Sequence, residues 1–478
     1  MMMTLAQVAG WIPGARTVGD ASTAISRVHT DTRTLAPGDL FVALKGERFD
    51  GNTLLAEARA RGAVAALAHG GLQAAGLPGL EVPDTLAALG ALAAGWRAQF
   101  TLPLIAVTGS NGKTTVTQMI AAILATRDDD RSLATAGNFN NEIGVPLTVL
   151  RLRAQHQLAV VELGMNHPGE IARLGVIAQP TIALVNNAQR EHLEFMETVE
   201  AVARENGSVF AALPAEGTAV YPHGDTFSAL WHALASDEAP RRCLTFGAHA
   251  DADIALVDAQ WQGEAWAVTL RTPLGTLQCR LRIAGRHNVV NALAATACAL
   301  AAGVSLEHIA QGLSGFAPVK GRSSARLMAA PGGRAVTVVD DTYNANPDSM
   351  RAAIDVLAGL PAPRLLVIGD MGEVGDQGPQ FHAEIGAWAR ERGIESVLAL
   401  GELARHSVSA FESTDGLAGE ARHFDAIEPL QAAVIARLPT LGSVLVKGSR
   451  FMKMERVVQA MAAQAFPQQE NNKEAGHA

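Results

Sequence analysis

The sequence predicts an α/β protein of three domains, each built on a mostly parallel sheet. The chain has 478 residues, which is too long for one ordinary domain. Hydrophobic residues make up 48% of it, and short runs that are apolar on both faces alternate with helical stretches. The 46 glycines are typical of the tight turns that join strands to helices. Together these observations favour parallel sheets covered by helices on both faces.

The first domain is predicted over residues 1–98. Two short strands, at 39–44 and 63–68, lie on either side of a helical stretch at 53–61. This order of strand, helix and strand indicates a parallel unit.

The second domain is predicted over residues 99–315. It opens with an apolar strand at 104–108, which leads into a glycine-rich turn and then a helix at 114–126. Further buried strands follow at 158–163 and 181–186. The alternating pattern at 260–282 predicts an antiparallel addition to the sheet.

The third domain is predicted over residues 316–466 and repeats the alternation of strands and helices. Its predicted strands are 335–340, 364–369, 396–401 and 443–446. The polar tail at 467–478 is predicted to be disordered.

Composition excludes several classes of protein. The net charge of −9 argues against nonspecific binding of nucleic acid. Three cysteines without CxxC spacing indicate neither a disulfide framework nor a zinc site. No apolar run has the length of a membrane span, and no basic residue precedes Arg16 as a secretory signal requires. We therefore expect a cytoplasmic protein that is not inserted in a membrane. As a separate expectation, it acts as a monomer.

The strongest local signal is the sequence Thr-Gly-Ser-Asn-Gly-Lys-Thr-Thr at residues 108–115. A strand leads in and a helix leads out, as a phosphate-binding loop requires. Gly109 and Gly112 would let backbone N–H groups point at phosphate oxygens. Lys113 would bridge the β- and γ-phosphates, and the Thr114 hydroxyl would bind Mg²⁺.

Two features leave alternatives open. The general pattern GxxxxGK[ST] has its first glycine where Val107 stands, so the loop could be a glycine-rich turn with an exposed Lys113. Glu162 ends a predicted strand beside the loop, where Mg²⁺ needs an oxygen ligand, although a polar strand end is the plainer interpretation.

The compact loop resembles that of the Mur ligases and of the related folylpolyglutamate synthetases, and the likeness extends through nearly the whole chain. The further motifs that resemble the Mur ligases are NFNNEIGVP at 138–146, VELGMNH at 161–167, NNAQREH at 186–192, GRHNVVN at 285–291, DDTYNAN at 340–346 and VKGSR at 446–450.

The resemblance implies a central ATPase-like domain with a phosphate loop, a Rossmann-like C-terminal domain and a small N-terminal domain that binds uridine diphosphate. The implied ATP-binding residues are Gly109, Ser110, Asn111, Gly112, Lys113, Thr114, Thr115, Asn288, Asn291, Arg322 and Asp341. The implied Mg²⁺ ligands are Thr114, Glu162 and His192. The implied catalytic residues are Lys113, Arg322 and Lys447.

The resemblance also implies substrate-binding residues in all three domains. Those near the nucleotide and the amine are Asn140, Asn141, Tyr343, Asn344 and Asn346. Those of the uridine-diphosphate pocket are Thr30, Asp31, Arg33, Lys45, Asp50 and Gly51. From the residues alone, Asn288 and Asn291 could simply cap a helix, Asp31 could be a turn residue, and the last two motifs could be solvated turns.

The implied reaction joins the tripeptide carboxylate of UDP-N-acetylmuramoyl-tripeptide to D-alanyl-D-alanine, with ATP and Mg²⁺, through an acyl phosphate. A family sibling that adds the third amino acid is one alternative, but it carries a DNPR motif where this chain has Asn346-Pro-Asp-Ser349. A nucleotide-binding regulator without catalysis is another alternative, which the intact Lys113, Glu162, His192 and Arg322 argue against. The third residue of the tripeptide, diaminopimelate or lysine, is left open.

One departure from the family pattern yields a separate expectation. Most Mur ligases carry a lysine some fourteen residues past the magnesium-binding histidine, and CO2 converts it to a carbamate. Here Asn206 stands at that position, and no lysine lies between His192 and Lys320. Water or the neighbouring Glu205 could fill the gap, or the alignment could be off by one turn, although such a slip restores no lysine. We expect a site without a carbamate and an activity independent of dissolved CO2.

Overall fold

The computed structural model describes residues 1–128, 131–237, 239–330, 333–413 and 419–465. The prediction of a disordered tail at 467–478 lies outside the described residues. Within the described ranges, three larger sheets covered by helices follow one another along the chain, and a small two-stranded sheet pairs Met3–Thr4 with Ala24–Ile25. No helix found in these ranges has both the length and the apolar character needed to cross a membrane.

The N-terminal part folds around a five-stranded sheet of order β2-β7-β6-β5-β4, in which only the pair β2–β7 is antiparallel. Its elements are β1 Met3–Thr4, α1 Leu5–Trp11, β2 Arg16–Val18, β3 Ala24–Ile25, β4 Arg27–His29, β5 Asp39–Val42, α2 Leu55–Ala60, β6 Ala65–Ala68, α3 Leu72–Ala75, β7 Gly79–Glu81 and α4 Thr85–Arg97. The predicted helix at 53–61 is divided: a 3₁₀ turn at Gly51–Leu54 precedes α2.

The central part contains a nine-stranded sheet in the described residues. Its elements are β8 Leu104–Thr108, α5 Lys113–Asp128, β9 Ser132–Ala134, α6 Gly144–Val149, β10 Leu158–Glu162, α7 Glu170–Ala178, β11 Ile182–Val185, α8 Leu193–Met196, α9 Val199–Gly207, β12 Thr218–Pro222, α10 Ser228–Ser236, β13 Arg242–Gly247, β14 Ile254–Trp261, β15 Trp266–Thr272, β16 Gly275–Leu281, α11 Arg286–Ala301 and α12 Leu306–Gly315. The strand order is β16-β15-β14-β13-β12-β11-β8-β10-β9. Strands β14 to β16 pair antiparallel, as the sequence predicted for 260–282.

The C-terminal part has a six-stranded sheet, counted over the described residues, of order β17-β18-β22-β19-β20-β21. Its elements are β17 Ser324–Ala329, β18 Ala335–Asp341, α13 Pro347–Ala358, β19 Arg364–Gly369, α14 Gly378–Glu391, β20 Ser396–Leu400, α15 Arg405–Ser413, β21 Glu420–Phe424, α16 Ile427–Arg437, β22 Ser443–Lys447 and α17 Glu455–Ala465. Strands β18 to β22 pair parallel, and β17 is an antiparallel edge.

Helix α4 joins the first two sheets into one body. Its face packs on α6 and α7 of the central part, and both parts contribute to one hydrophobic core. Trp96 Nε1 donates to Leu152 O at 3.2 Å. The buried Arg97 donates to carbonyl oxygens at the end of α7, including Ala178 O at 3.1 Å, so that the charge is hydrogen-bonded despite its burial.

The order of the central sheet brings the predicted motifs together. Strand β8 lies between β10 and β11, both of which follow it in the chain. Because all three strands run parallel, their carboxyl ends meet at one edge, and connections leave to opposite sides there. The phosphate-loop candidate follows β8, Glu162 ends β10, and Asn186 and Asn187 follow β11. This edge of the sheet is therefore the expected place for a ligand.

Candidate active site

A cavity of about 740 Å³ opens at this edge, between the central and the C-terminal sheets. The predicted site residues that line it are Ser110, Asn111, Gly112, Lys113, Thr115, Asn140, Asn141, Glu162, His192, Asn288, Asn291, Arg322, Asp341, Tyr343, Asn344, Asn346 and Lys447. The structure thus brings together motifs separated by more than three hundred positions in sequence.

The phosphate-loop candidate is held by the segment that follows β11. Ser110 N donates to Asn187 O at 3.1 Å, and Asn111 N donates to Asn187 Oδ1 at 2.9 Å. Gly109 has a φ of 125°, and a Cβ there would lie 3.0 Å from the Cβ of Asn186. The close approach of these two segments therefore requires glycine at 109.

The amide groups available to a phosphate differ from the sequence expectation. The N–H of Gly109 points at Asn206 Oδ1, 2.8 Å away, and not into the cavity. By contrast, no described residue accepts a hydrogen bond from the N–H groups of residues 112–115, which open α5. The first turn of α5, with its partial positive charge, is the part of the loop that can receive an anion.

Lys113 is folded back over the loop. Its Nζ donates to Gly109 O at 2.5 Å and Ser110 O at 3.0 Å, and it pairs with Glu191 Oε1 at 3.1 Å. Burial works to raise the pKa of Glu191, but the charges of Lys113 and His192 outweigh burial and hold this pKa below its usual range. Glu191 thus stays ionised and keeps the lysine charge next to the open amide groups.

Glu162 fits the role of a cation ligand. Its Oε1 accepts from Thr114 Oγ1 at 3.1 Å and from Asn140 Nδ2 at 2.8 Å. Its Oε2 is buried and has no hydrogen-bond partner among the described residues. A buried carboxylate oxygen without a partner is costly unless a cation or water completes it. The carboxylate and the Thr114 hydroxyl offer oxygen ligands of the kind that Mg²⁺ prefers, and the N–H group of Asn140 holds the carboxylate in place.

His192 lies in a strained turn between two carboxylates. Its φ of 51° is left-handed, which is uncommon for a residue other than glycine. Burial disfavours its protonated form, but Glu191 and Glu373 raise its pKa to about 9. A bound cation would have to displace this proton, since only neutral imidazole binds metals. The buried Glu191 Oε2, which also lacks a partner in the described ranges, is a nearby oxygen donor.

The C-terminal sheet contributes cations of two kinds. Arg322 stacks on the ring of Tyr343 at 3.9 Å and forms no ion pair with any described residue, so its charge is available to a ligand. Lys447, by contrast, is buried and pairs with Asp341 Oδ2 at 2.6 Å. Burial works to raise the pKa of Asp341, and Lys447 outweighs it and lowers this pKa. Asp341 therefore stays a carboxylate, and the ion pair adds no net charge to the cavity.

Hydrogen bonds and ion pairs connect the two faces of the cavity. Asn346 caps the start of α13 and donates from Nδ2 to Asn111 Oδ1 at 2.9 Å, across the cavity. Beside this contact, Arg190 pairs with Asp348 at 2.6 Å and with Glu384 at 2.7 Å. The nucleotide-side loop and the C-terminal sheet are thus held together by polar side chains.

Other predicted residues have structural contacts. Asn141 Oδ1 accepts from Gly144 N at 2.9 Å at the start of α6. Asn288 and Asn291 do not cap α11, because the cap position is Gly285. Asn288 donates to Ala284 O at 2.7 Å and accepts from Asn291, whose own Oδ1 accepts from Asn186. The alternative of simple capping is therefore wrong for both residues.

The six predicted residues of the first domain lie outside this cavity, and they are Thr30, Asp31, Arg33, Lys45, Asp50 and Gly51. Asp31 and Asp50 each cap a 3₁₀ turn, through Arg33 N at 2.9 Å and Asn52 N at 3.0 Å. Gly51 is packed so that a Cβ would lie 2.7 Å from Leu44 O. Ordered turns thus hold the side chains of this motif, while their ligand stays a proposal.

Several residues in contact with the site were not predicted from the sequence, and three of them are Glu191, Arg190 and Asn187. Glu191 and Arg190 precede His192 directly, so their position next to a predicted ligand was the available signal. Asn187 follows β11 beside the phosphate loop, and its neighbourhood depends on the strand order, which local sequence does not reveal.

A candidate phosphate loop that shares its cavity with a second α/β domain is typical of multidomain nucleotide-binding proteins. Sequence-family models match most of the chain: Mur ligase family, catalytic domain, at residues 24–97; Mur ligase middle domain at 107–299; and Mur ligase, glutamate ligase domain, at 326–450. The chain belongs to the Mur ligase family.

Individual relatives agree over almost the full length. The chain is 39% identical to the UDP-N-acetylmuramoyl-tripeptide–D-alanyl-D-alanine ligase of Escherichia coli, covering 96% of this chain and 98% of that protein. It is similar to MurF from Acinetobacter baumannii, with a TM-score of 0.87, 35% identity and coverage of 96% and 98%. MurF from Thermotoga maritima in complex with ADP gives a TM-score of 0.78 at 25% identity, covering 94% and 99%.

Proposed function

We propose that the chain is an ATP-dependent ligase that adds D-alanyl-D-alanine to UDP-N-acetylmuramoyl-tripeptide, a step of peptidoglycan precursor synthesis. The observation that carries the proposal is that one cavity is lined by Lys113 and Glu162 of the central part and by Arg322 and Asn346 of the C-terminal part. The full-length similarity to ligases of that name supports the choice of substrates.

In the proposed reaction a carboxylate oxygen of the tripeptide attacks the γ-phosphorus of ATP, and ADP leaves. The amine of the dipeptide then attacks the acyl carbon, phosphate leaves with the bonding electrons, and the amine loses a proton. Negative charge builds up on phosphoryl oxygens in the first step. Lys113 and the N–H groups of residues 112–115 stabilise it from one side, and Arg322 from the other.

Magnesium would be held by Glu162 and Thr114, with His192 and Glu191 at a second position, and it would supply positive charge to the phosphates. Asn140 orients Glu162 through the bond to Oε1. Lys447 holds Asp341, a residue that would bind the nucleotide, in place at the wall of the cavity. The N-terminal residues Asp31 and Arg33 hold the uridine-diphosphate end of an elongated substrate that reaches into the cavity.

The chain completes its cavity with its own residues, so we propose that it acts as a monomer. We propose the cytoplasm as its location because the reaction consumes ATP.

The test is ADP release by the purified chain with D-alanyl-D-alanine and each of two UDP-tripeptides, one ending in diaminopimelate and one in lysine. We expect D-alanyl-D-alanine to support release at least about a hundredfold faster than D-alanine or diaminopimelate, because a pocket built for a dipeptide leaves groups unpaired with a single amino acid. Equal rates with a single amino acid would favour the family sibling that adds the third residue. Tight ADP binding without amine-dependent release would favour a regulator.

A further inference from the structure

The side chain of Asn206 contacts the backbone of the phosphate-loop candidate at Gly109. It is 1% exposed, and its Oδ1 accepts a hydrogen bond from Gly109 N at 2.8 Å. Its Nδ2 donates to Val202 O, 3.0 Å away in the same helix, which fixes the orientation of the carboxamide. The Thr108 hydroxyl lies 3.3 Å from Asn206 O. Both ends of the carboxamide are therefore engaged by backbone groups.

The end of α9 that carries Asn206 is itself firmly placed. Glu205 accepts from Gly169 N and Ile171 N, each at 2.8 Å, and so caps α7. A Cβ at Gly207 would lie 2.6 Å from the Cδ1 atom of Leu234 in α10, so this helix end packs closely on α10. Adjacent residues thus link α9 to α7 and to the phosphate loop, and each carboxylate oxygen of Glu205 accepts an N–H at the start of α7.

We infer that Asn206 is a positioning residue for nucleotide binding: it anchors the Gly109 N–H so that the first turn of α5 presents its open amide groups to phosphate. This inference rests on the proposed role of the loop as the nucleotide site. Without an acceptor at 206, the Gly109 N–H would be buried and unpaired. The loop would then rotate to find a partner, and the N–H groups of residues 112–115 would move with it.

The inference is tested by titrating ADP, in excess MgCl₂, into the wild-type chain, Asn206→Leu and Glu205→Gln, with heat as the readout. Leucine has nearly the shape of asparagine but neither hydrogen bond, so we expect the dissociation constant for ADP to rise about tenfold or more. Glu205→Gln is the matched control. Glu205 is the neighbour of Asn206 in sequence, and its substitution weakens the cap of α7 without touching the loop. We therefore expect a lower melting temperature and an ADP affinity within about twofold of the wild type.

Hydrogen exchange of the nucleotide-free chain separates anchoring from bulk stability. The peptide covering residues 107–112 should exchange at least about tenfold faster in Asn206→Leu than in the wild type, because its protected amide is released. Asn206→Asp keeps an acceptor for the Gly109 N–H and should stay protected. Asn206→Asp is assayed by hydrogen exchange alone, because its negative charge would itself repel phosphate. If Asn206→Leu does not fold, Asn206→Asp still tests whether an acceptor at 206 protects the Gly109 N–H.

Three results would overturn the inference. They are wild-type ADP affinity in Asn206→Leu, an equal loss of affinity in Glu205→Gln, and exchange in Asn206→Asp as fast as in Asn206→Leu. If the wild-type chain itself does not bind ADP, the proposed function fails together with the inference. Binding by the wild type with no effect of Asn206→Leu overturns the inference alone.

Discussion

The two faces of the cavity are built in different ways. On the central face, backbone groups of the phosphate loop bond to Asn187 and Asn206, which belong to the same sheet and its helices. On the C-terminal face, contact with the loop region depends on side chains: Asn346 bonds to Asn111, and Asp348 and Glu384 pair with Arg190. The first set of contacts lies within one domain, whereas the second exists only while two domains are in contact.

This difference separates nucleotide binding, which depends on the central face, from the closure of the two domains, which depends on the contacts between them. Buried backbone contacts within a domain persist whether or not the neighbouring domain is docked, so the nucleotide face is ready in advance. Partly exposed ion pairs between domains form and break at modest free energy, as a closing motion requires. We therefore expect changes on the central face to affect nucleotide binding and catalysis strongly, and changes at the interface to affect closure more mildly.

The largest effect is expected for Lys113→Ala. Removing the ammonium group takes away the charge that faces the phosphates, so ADP release should fall on the order of 10³-fold or more. The fold should persist, because the side chain bonds only to Gly109 O, Ser110 O and Glu191. The same change at the exposed Lys453 is the control and should leave the rate unaltered. An active Lys113→Ala with intact kcat/KM would refute the assignment of the loop.

A smaller effect is expected for Arg190→Ala, which removes the ion pairs of Arg190 with Asp348 and Glu384 and leaves the interdomain pair of His192 with Glu373. Burial lowers the pKa of Arg190, but Glu384 and Asp348 outweigh it and raise this pKa, so the arginine is charged. We expect kcat/KM to fall about tenfold, and the radius of gyration with ADP bound to increase, because part of the closed state is lost.

A double-mutant cycle with Asp348→Ala isolates the pair. The coupling should be about 1 kcal/mol, since both side chains are partly buried. The control is Arg204→Ala, which breaks an exposed ion pair with Glu200 inside α9. It should show no coupling with Asp348→Ala. A cycle that closes at zero would mean that the ion pair does not hold the domains together.

What the sequence could predict depends on whether a feature is set by neighbouring residues or by contacts with distant parts of the chain. The strands at 104–108 and 364–369 are observed with the predicted bounds, because an apolar run bounded by polar residues or glycine is a local signal. The strand predicted at 39–44 ends earlier, at Val42, because the chain turns there and Gly51 N donates to Leu44 O. A contact that arrives from later in the chain set this boundary.

Most of the central face was predicted, since its residues sit in compact motifs at strand ends. The interface was not, because Arg190 and Asp348 are 158 positions apart and each resembles an ordinary surface charge in its own segment. Asn206 is 97 positions from Gly109. Its departure from the family pattern was visible in the sequence, but its contact with the loop required the strand order of the sheet.

The smallest expected effect concerns dissolved CO2. The family resemblance implies a carbamylated lysine where this chain has Asn206, and a carboxamide cannot form a carbamate. Both ends of that carboxamide bond to backbone groups, and both oxygens of Glu205 cap α7. We therefore expect the same rate of ADP release in degassed buffer with and without bicarbonate, at constant pH and saturating Mg²⁺.

Asn206→Lys is the matched variant for this assay. A lysine in this buried position favours its neutral amine, which is the form that reacts with CO2, so bicarbonate should raise the rate of the variant alone. The variant should start from a lower rate, since it also loses the acceptor for the Gly109 N–H. A reversible loss of wild-type activity on removing CO2 would contradict the prediction and would mean that another amine of the chain carries a carbamate. It would also contradict the difference drawn between the two faces. The central face would then need a covalent modification before it could bind the nucleotide, and folding alone would not prepare it.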